Sequence, residues 1–243
     1  MGNPDMQGTA EGKAAKKSAE EKREEARDKI KMAAVELFYL KGYENTTTRD
    51  IVLKTGILNG SIYNRFKNKE DILLSAVTDA LHDFLEDSKN VFSKLDDPMS
   101  AIILPAAIEL YLASSSPRLA DIIYNAHRSW AAVCEYVDIY EEWFNEVFSD
   151  LMNGIRNPQI FRVRVSAIIG AVGNVCAQYA HGFDGDYRGV LNTMVRVASS
   201  TMEIPVFNIT ELVDRIANIV ESGDVYLGGR KISEIISCLP KTD

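Results

Sequence analysis

The sequence predicts an all-α protein. Apolar residues recur at spacings of three and four along most of its length, and helix-breaking residues fall between the periodic segments. No alternating run is bounded by hairpin turn signals. With 243 residues, 46% hydrophobic and 26% charged, the chain is long enough for one or two domains with a sizeable core.

Residues 1–10 contain Gly and Pro and are expected to be disordered. Residues 11–29 (EGKAAKKSAEEKREEARDK) are almost wholly charged or Ala. They read as a solvated, frayed helical extension of the first core helix. The competing reading is a basic arm, with Lys13, Lys16 and Lys17 toward phosphates and neighbouring glutamates diluting the field. Residues 1–24 are therefore set apart as a charged, flexible extension.

The first core helix is predicted over 27–40, with Ile30, Ala33, Ala34, Leu37 and Phe38 on one face. Gly42 is its stop signal, and Thr46, Thr47 and Thr48 supply oxygens to start the next helix. That second helix, 48–55, buries Ile51 and Val52. Gly56 breaks it, and a third runs from Asn59 to Phe66, with Ile62 and Phe66 packed inward against Leu37 and Ile51. Two short helices joined by a three- to four-residue turn containing Gly form the helix-turn-helix pattern, here the core of a 25–72 unit.

Such a unit lays its last helix in the major groove of DNA while flanking groups hold phosphates. The outward candidates are Asn59, Ser61, Tyr63, Asn64 and Arg65, with Gly60 permitting close backbone approach. Thr47, Thr48 and Arg49, at the start of the second helix, and Lys69 are candidates for phosphates. Arg49 could instead pair with Glu44 or Asp50.

A longer helix is predicted over 70–92, with the stripe Leu73, Val77, Ala80, Leu81 and Phe84; Asp96, Asp97 and Pro98 end it. It links the small unit to the remainder, 73–243. There the expected helices are 99–114, 117–132, 136–153, 158–181, 187–203 and 209–221, with a short one at 230–238. Residues 203–209 and 224–227 could be briefly extended.

Net charge is −8, but unevenly spread. Residues 1–75 carry fourteen Lys and Arg against twelve acidic residues, whereas the remainder carries thirteen against twenty-three. The only positive excess thus coincides with the helix-turn-helix, which suits a nucleic-acid-facing end. Cys134, Cys176 and Cys238 are widely spaced with no CxxC, so free thiols are expected and no metal site. His82, His127 and His181 are far apart, and no H-E-x-x-H, G-x-S-x-G or phosphate-cradling loop occurs, so no enzyme and no cofactor are expected. The uninterrupted apolar runs, 101–108 and 167–172, fall short of the ~20 residues of a membrane span. With a polar N-terminal segment, this leads to the expectation of a cytoplasmic protein with no membrane partner.

The segments AAVELFYLKGYENTTTRDI and GILNGSIYNRFKNKEDIL resemble the DNA-binding domain of TetR/AcrR-family transcriptional regulators. The spacing F-x-x-x-G-Y-x-x-T-T, a D-I start, and G-x-x-x-G-x-x-Y-x-x-F-x-x-K-E carry the likeness over about 50 residues. Two positions depart from it. Leu58 stands where Ser or Thr often caps the reading helix, which leaves Asn59 as the candidate cap. Val52 replaces a small residue.

The resemblance implies a C-terminal helical domain that dimerises and binds a small molecule. It also implies a repressor of a near-palindromic operator, released by a small hydrophobic or aromatic effector. The competing reading is a helical ligand-binding or interaction protein with altered or lost DNA binding. Plausible cavity lining is Tyr111, Tyr124, His127, Trp130, Tyr140, Trp143, Phe144, Phe148, Cys176 and Tyr179. For each, core or interface packing is the competing role. The small residues Ala167, Gly170, Ala171, Gly173 and Ala177 mark 158–181 as a candidate homodimer surface, paired with 187–203 or 209–221.

Overall fold

In the computed structural model, the described residues are 7–92, 98–149, 157–223, 225–227 and 230–238. Eleven helices are seen among them, with one small hairpin. The expected end of the linking helix at Asp96–Asp97 and the side chains of Lys13, Lys16, Lys17 and Cys238 lie outside the described residues.

Helix α1 (Gln7–Lys41) is one rod, so the core helix continues back through the charged segment. Gly42 closes it in the left-handed region (φ +86°), with its N–H donating to the Phe38 carbonyl at 2.9 Å. Thr46 is buried and donates its hydroxyl to the carbonyls of Leu37 and Gly42. Helix α2 (Thr48–Thr55) starts with a capping box: Thr47 accepts from the Asp50 N–H, and the Asp50 carboxylate accepts from the Thr47 N–H at 2.9 Å. Lys41 and Thr47 both donate to that carboxylate and hold Asp50 below the usual carboxylate range. Thr47→Ala is expected to cost about 1 kcal/mol in thermal melts of the chain. Because the Asp50 pKa is depressed, its contribution is present above pH 3.8 and fades as pH falls below it.

Helix α3 (Asn59–Tyr63) is shorter than expected, with a turn carrying the chain on to Phe66. Asn59 does not cap it. The capping position is Leu58, which makes no side-chain cap hydrogen bond. A helix start with no side-chain acceptor leaves orphan N–H groups to be satisfied from outside. Helix α4 (Lys69–Phe92) begins one residue before the expected start.

The remaining helices are α5 (Pro98–Ser115), α6 (Pro117–His127), α7 (Trp130–Val147), α8 (Pro158–Ala180), α9 (Tyr187–Met202), α10 (Ile209–Glu221) and α11 (Ile232–Cys238). The break expected between 132 and 136 falls earlier, at 128–129. Ser129 sets it by accepting from the Ala132 N–H as the cap of α7. The predicted start at 136 moves to Trp130 for the same reason. Ser116, Asn157, Asp186 and Asn208 cap α6, α8, α9 and α10 in the same way. Of the two segments expected to be briefly extended, 203–209 forms no strand. Residues Tyr226–Leu227 (β1) pair antiparallel with Arg230–Lys231 (β2).

Two hydrophobic clusters result. One holds α1 to α4 around Phe38, Ile51, Ile62, Phe66 and Ile72, and takes in Ile122 and Ala126 from α6. The other fills the space among α4 to α10. Helices α5 and α8 reach the length and apolarity of a membrane span once interruptions are allowed; 72% of that stretch of α5 is buried in the core, against 39% for α8.

Candidate functional site

The α3 backbone is held from beneath. Ile62 and Phe66 are buried in the first cluster. Asn59, Gly60, Tyr63 and Asn64 are exposed, and a Cβ built on Gly60 would meet nothing within 4 Å. Tyr63 is 51% exposed. At the start of α2, Thr47 and Arg49 are exposed and Thr48 is half-buried, as is Ser61 on α3. Asp50, a competing partner for Arg49, is taken by Lys41 at 2.6 Å. Leu53 and Leu58, on and just after α2, are 75% and 78% exposed.

Two expected cations are drawn into the fold. The Arg65 guanidinium donates back to the Ser61 carbonyl at 2.7 Å. The Lys69 ammonium donates to the carbonyls of Tyr43 at 2.8 Å and Glu44 at 3.3 Å, and lies 4.3 Å from the centre of the Tyr43 ring. Lys69 thus fastens α4 to the α1–α2 loop. Burial, with the Glu70 and Glu44 charges, pushes the Tyr43 hydroxyl up to about 12.

The same loop is gripped by α6. Asp121 accepts from the Tyr43 N–H at 3.2 Å, and Arg128 donates to Glu44 at 3.1 Å. Ser129 donates to Glu70 at 2.6 Å. His127, the last residue of α6, turns the other way into a cavity of about 480 Å³ of empty space, its opening included. Its Nδ1–H donates to the Ile169 carbonyl at 2.9 Å, so Nε2 faces the Glu109 carboxylate, 3.0 Å from Oε2. A Cβ on Gly173 would stand 2.5 Å from the His127 Cβ, so glycine lets α8 approach α6. Gly173 therefore works inside the domain, not on an outer helix face.

Of the residues expected to line a cavity, His127, Tyr140 and Phe144 do so here. Cys176 is buried close enough to Glu109 to feel its charge; burial first, then that charge, pushes the thiol up. The others lie elsewhere. Trp130 is 78% exposed, because Ser129 starts a new helix and swings the indole outward. Trp143 packs edge-on against Phe144 and Phe148, Tyr111 against Tyr187, and Arg128 lies over Tyr124. The Tyr179 hydroxyl donates to the Gly185 carbonyl at 3.0 Å. Glu109 and Tyr136 were not foreseen. Both also line a second, more open cavity, about 570 Å³ with its opening included, that reaches Val77, Ala80 and Phe84 of α4, and Leu81 is common to the two.

Burial opposes a charge on His127, but the Glu109 charge, its hydrogen bond and the Ile169 carbonyl outweigh it and raise the imidazole above 6.5. A raised folded value means the stabilisation is full below pH 6.5 and is lost as pH rises through the folded value. Melting temperatures from pH 6 to 9 should therefore decline more steeply for the native chain than for His127→Gln.

The fold and this surface define an all-α protein with an N-terminal helix-turn-helix. Residues 30–76 match the family described as bacterial regulatory proteins, tetR family. The chain is 42% identical over 60 residues to the HTH-type transcriptional repressor KstR2 of Mycolicibacterium smegmatis, covering 25% of this chain and 27% of that one. It is 31% identical over 117 residues to the HTH-type transcriptional regulator TtgR of Pseudomonas putida, covering 46% and 52%. A crystal structure of the transcriptional regulator FadR from Bacillus subtilis in complex with stearoyl-CoA is 20% identical, covering 72% of this chain and 95% of that one, with a TM-score of 0.47. The matched segments thus span about half the length of these curated relatives or less. The likeness to the tetR family rests on residues 30–76 and on partial matches to these relatives.

Proposed function

We propose that this protein is a ligand-responsive transcriptional repressor and not an enzyme. It binds a near-palindromic operator as a homodimer in the cytoplasm and is released by a small, largely apolar effector. Residues 25–72 form its DNA-binding domain and 73–243 its effector and dimerisation domain. The observation that carries the proposal is the position of α6. This helix ends at His127 in a cavity wall, while Asp121, Arg128 and Ser129 hold the α1–α2 loop and α4 of the reading unit. A molecule that displaces α6 must move the helix-turn-helix with it.

The reading face is α3: Tyr63 and Asn59 toward base edges, Gly60 close to the duplex, Thr47, Thr48 and Arg49 toward phosphates. The outer side of α8 supports dimerisation, with Ile160 and Val163 exposed at 43% and 63% and open space over Gly170. A twofold dimer places two α3 helices about 34–36 Å apart, one turn of DNA. Effector and operator then favour different spacings and weaken each other's binding reciprocally.

Selection of duplexes from a random-sequence pool on the purified chain tests this. The expected result is a two-half-site motif whose retention falls when an effector is added. The internal engagement of Arg65 and Lys69 favours a second reading, an interaction protein with weakened DNA binding. A pool with no enriched sequence would establish that one instead.

A further inference from the structure

The hydrogen-bonding capacity left spare in the His127 cavity is small and can be assigned. His127 has none, since Nδ1–H is given to Ile169 and Nε2 to Glu109. The Glu109 carboxylate, its side chain 26% exposed, keeps lone pairs on both oxygens. The Tyr136 and Tyr140 hydroxyls have no hydrogen-bond partner among the described residues. For both, burial and then the Glu109 charge hold the hydroxyl protonated. The rest of the lining is hydrocarbon, with Phe144, Ile102, Val165 and Ile168 among it.

Resting on the reading of this cavity as the effector site, we infer that the effector is an uncharged, mostly hydrocarbon molecule bearing a hydroxyl. Its O–H donates to Glu109, and its oxygen accepts from Tyr136 or Tyr140. A carboxylate offers only acceptors and would set a second negative charge beside Glu109. An ammonium could also donate to the Glu109 lone pairs, but that carboxylate already faces His127 Nε2 at 3.0 Å, so one shared partner offsets only part of the cost of desolvating a further charge among hydrocarbon. A hydroxyl satisfies the groups present without adding charge.

Isothermal titration of the full chain at pH 7.5 with 1-decanol, decanoate and decylammonium tests the assignment. These probes share one chain length and differ only in the head. Decanol is expected to bind at least about tenfold more tightly than either ion, the order set by desolvation of a buried charge. Glu109→Gln should weaken decanol and strengthen decanoate, narrowing that gap. Tyr136→Phe with Tyr140→Phe should weaken decanol without helping decanoate. An ionic probe binding as tightly as decanol, an unchanged order in Glu109→Gln, or no binding of any probe overturns the inference. The native-chain ranking stands even if a variant does not fold. Retention of selected duplex DNA without any probe is measured in parallel. Failure there counts against the repressor reading alone, and a decanol preference would survive it.

Discussion

Replacing Tyr63 with alanine is expected to lower affinity for a selected duplex by roughly 5- to 150-fold, the range for loss of one base-edge contact. The chain should still melt within about 0.5 kcal/mol of the native protein, because a half-exposed side chain outside the core is removed. Tyr63 stands about 100° round α3 from the buried Ile62 and is 51% exposed. Arg65 and Lys69 are occupied within the fold, so the aromatic carries a larger share of recognition than a cation-rich reading helix would give it. Trp130→Ala, at a still more exposed aromatic on α7, is the control and should leave DNA affinity unchanged. Gel retardation of both variants on the same duplex decides the matter, and equal losses would remove Tyr63 from the interface.

The second large effect is expected at Phe66. It is 2% exposed within the cluster of Phe38, Ile51, Ile62 and Ile72, and the Arg27 guanidinium lies 5.0 Å above its ring. Its N–H closes the turn after α3 by donating to the Ile62 carbonyl at 2.9 Å. Truncating a buried phenylalanine to alanine costs about 3–5 kcal/mol through lost transfer energy and the cavity left behind. Phe66→Ala should therefore unfold the α1–α4 cluster at a lower denaturant concentration and abolish DNA binding. The His127 cavity is walled by α4 to α8, away from Phe66. Retained probe binding by this variant would show that the two clusters can be loosened separately, and a single concerted loss would show that Ile122 and Ala126 weld them together.

The reading unit was legible because its signals are local. Ile30, Ala34, Leu37 and Phe38 fall on one helical face, Gly42 and Gly56 take positive φ where the helices stop, and Thr47 caps α2. The start of α3 at Asn59 was legible, but its cap was not, because Leu58 holds the capping position without a side-chain acceptor and Asn59 is the nearest polar candidate. The break between α6 and α7 was placed too late, after residue 132, because it rests on one serine within an apolar pattern that otherwise runs through it. The cavity was only half visible. Aromatic residues marked Tyr140 and Phe144 correctly and Trp130 incorrectly, since an indole can sit on either side of a helix whose start is misplaced. Glu109 lay in a buried apolar helix, and periodicity carries no sign that its carboxylate meets a histidine eighteen residues away. Lys69 shows the converse: its place in the motif was readable, but its partners on the α1–α2 loop were not.

The claim that α3 reads DNA is tested most directly by amide hydrogen exchange of the full chain with and without a selected duplex. Exchange should slow at the N–H groups of residues 59–63 and at the start of α2, while α10, remote from the reading unit in sequence and packing, keeps its rates. Protection confined to α7 to α10, with residues 59–63 exchanging as in free protein, would contradict it.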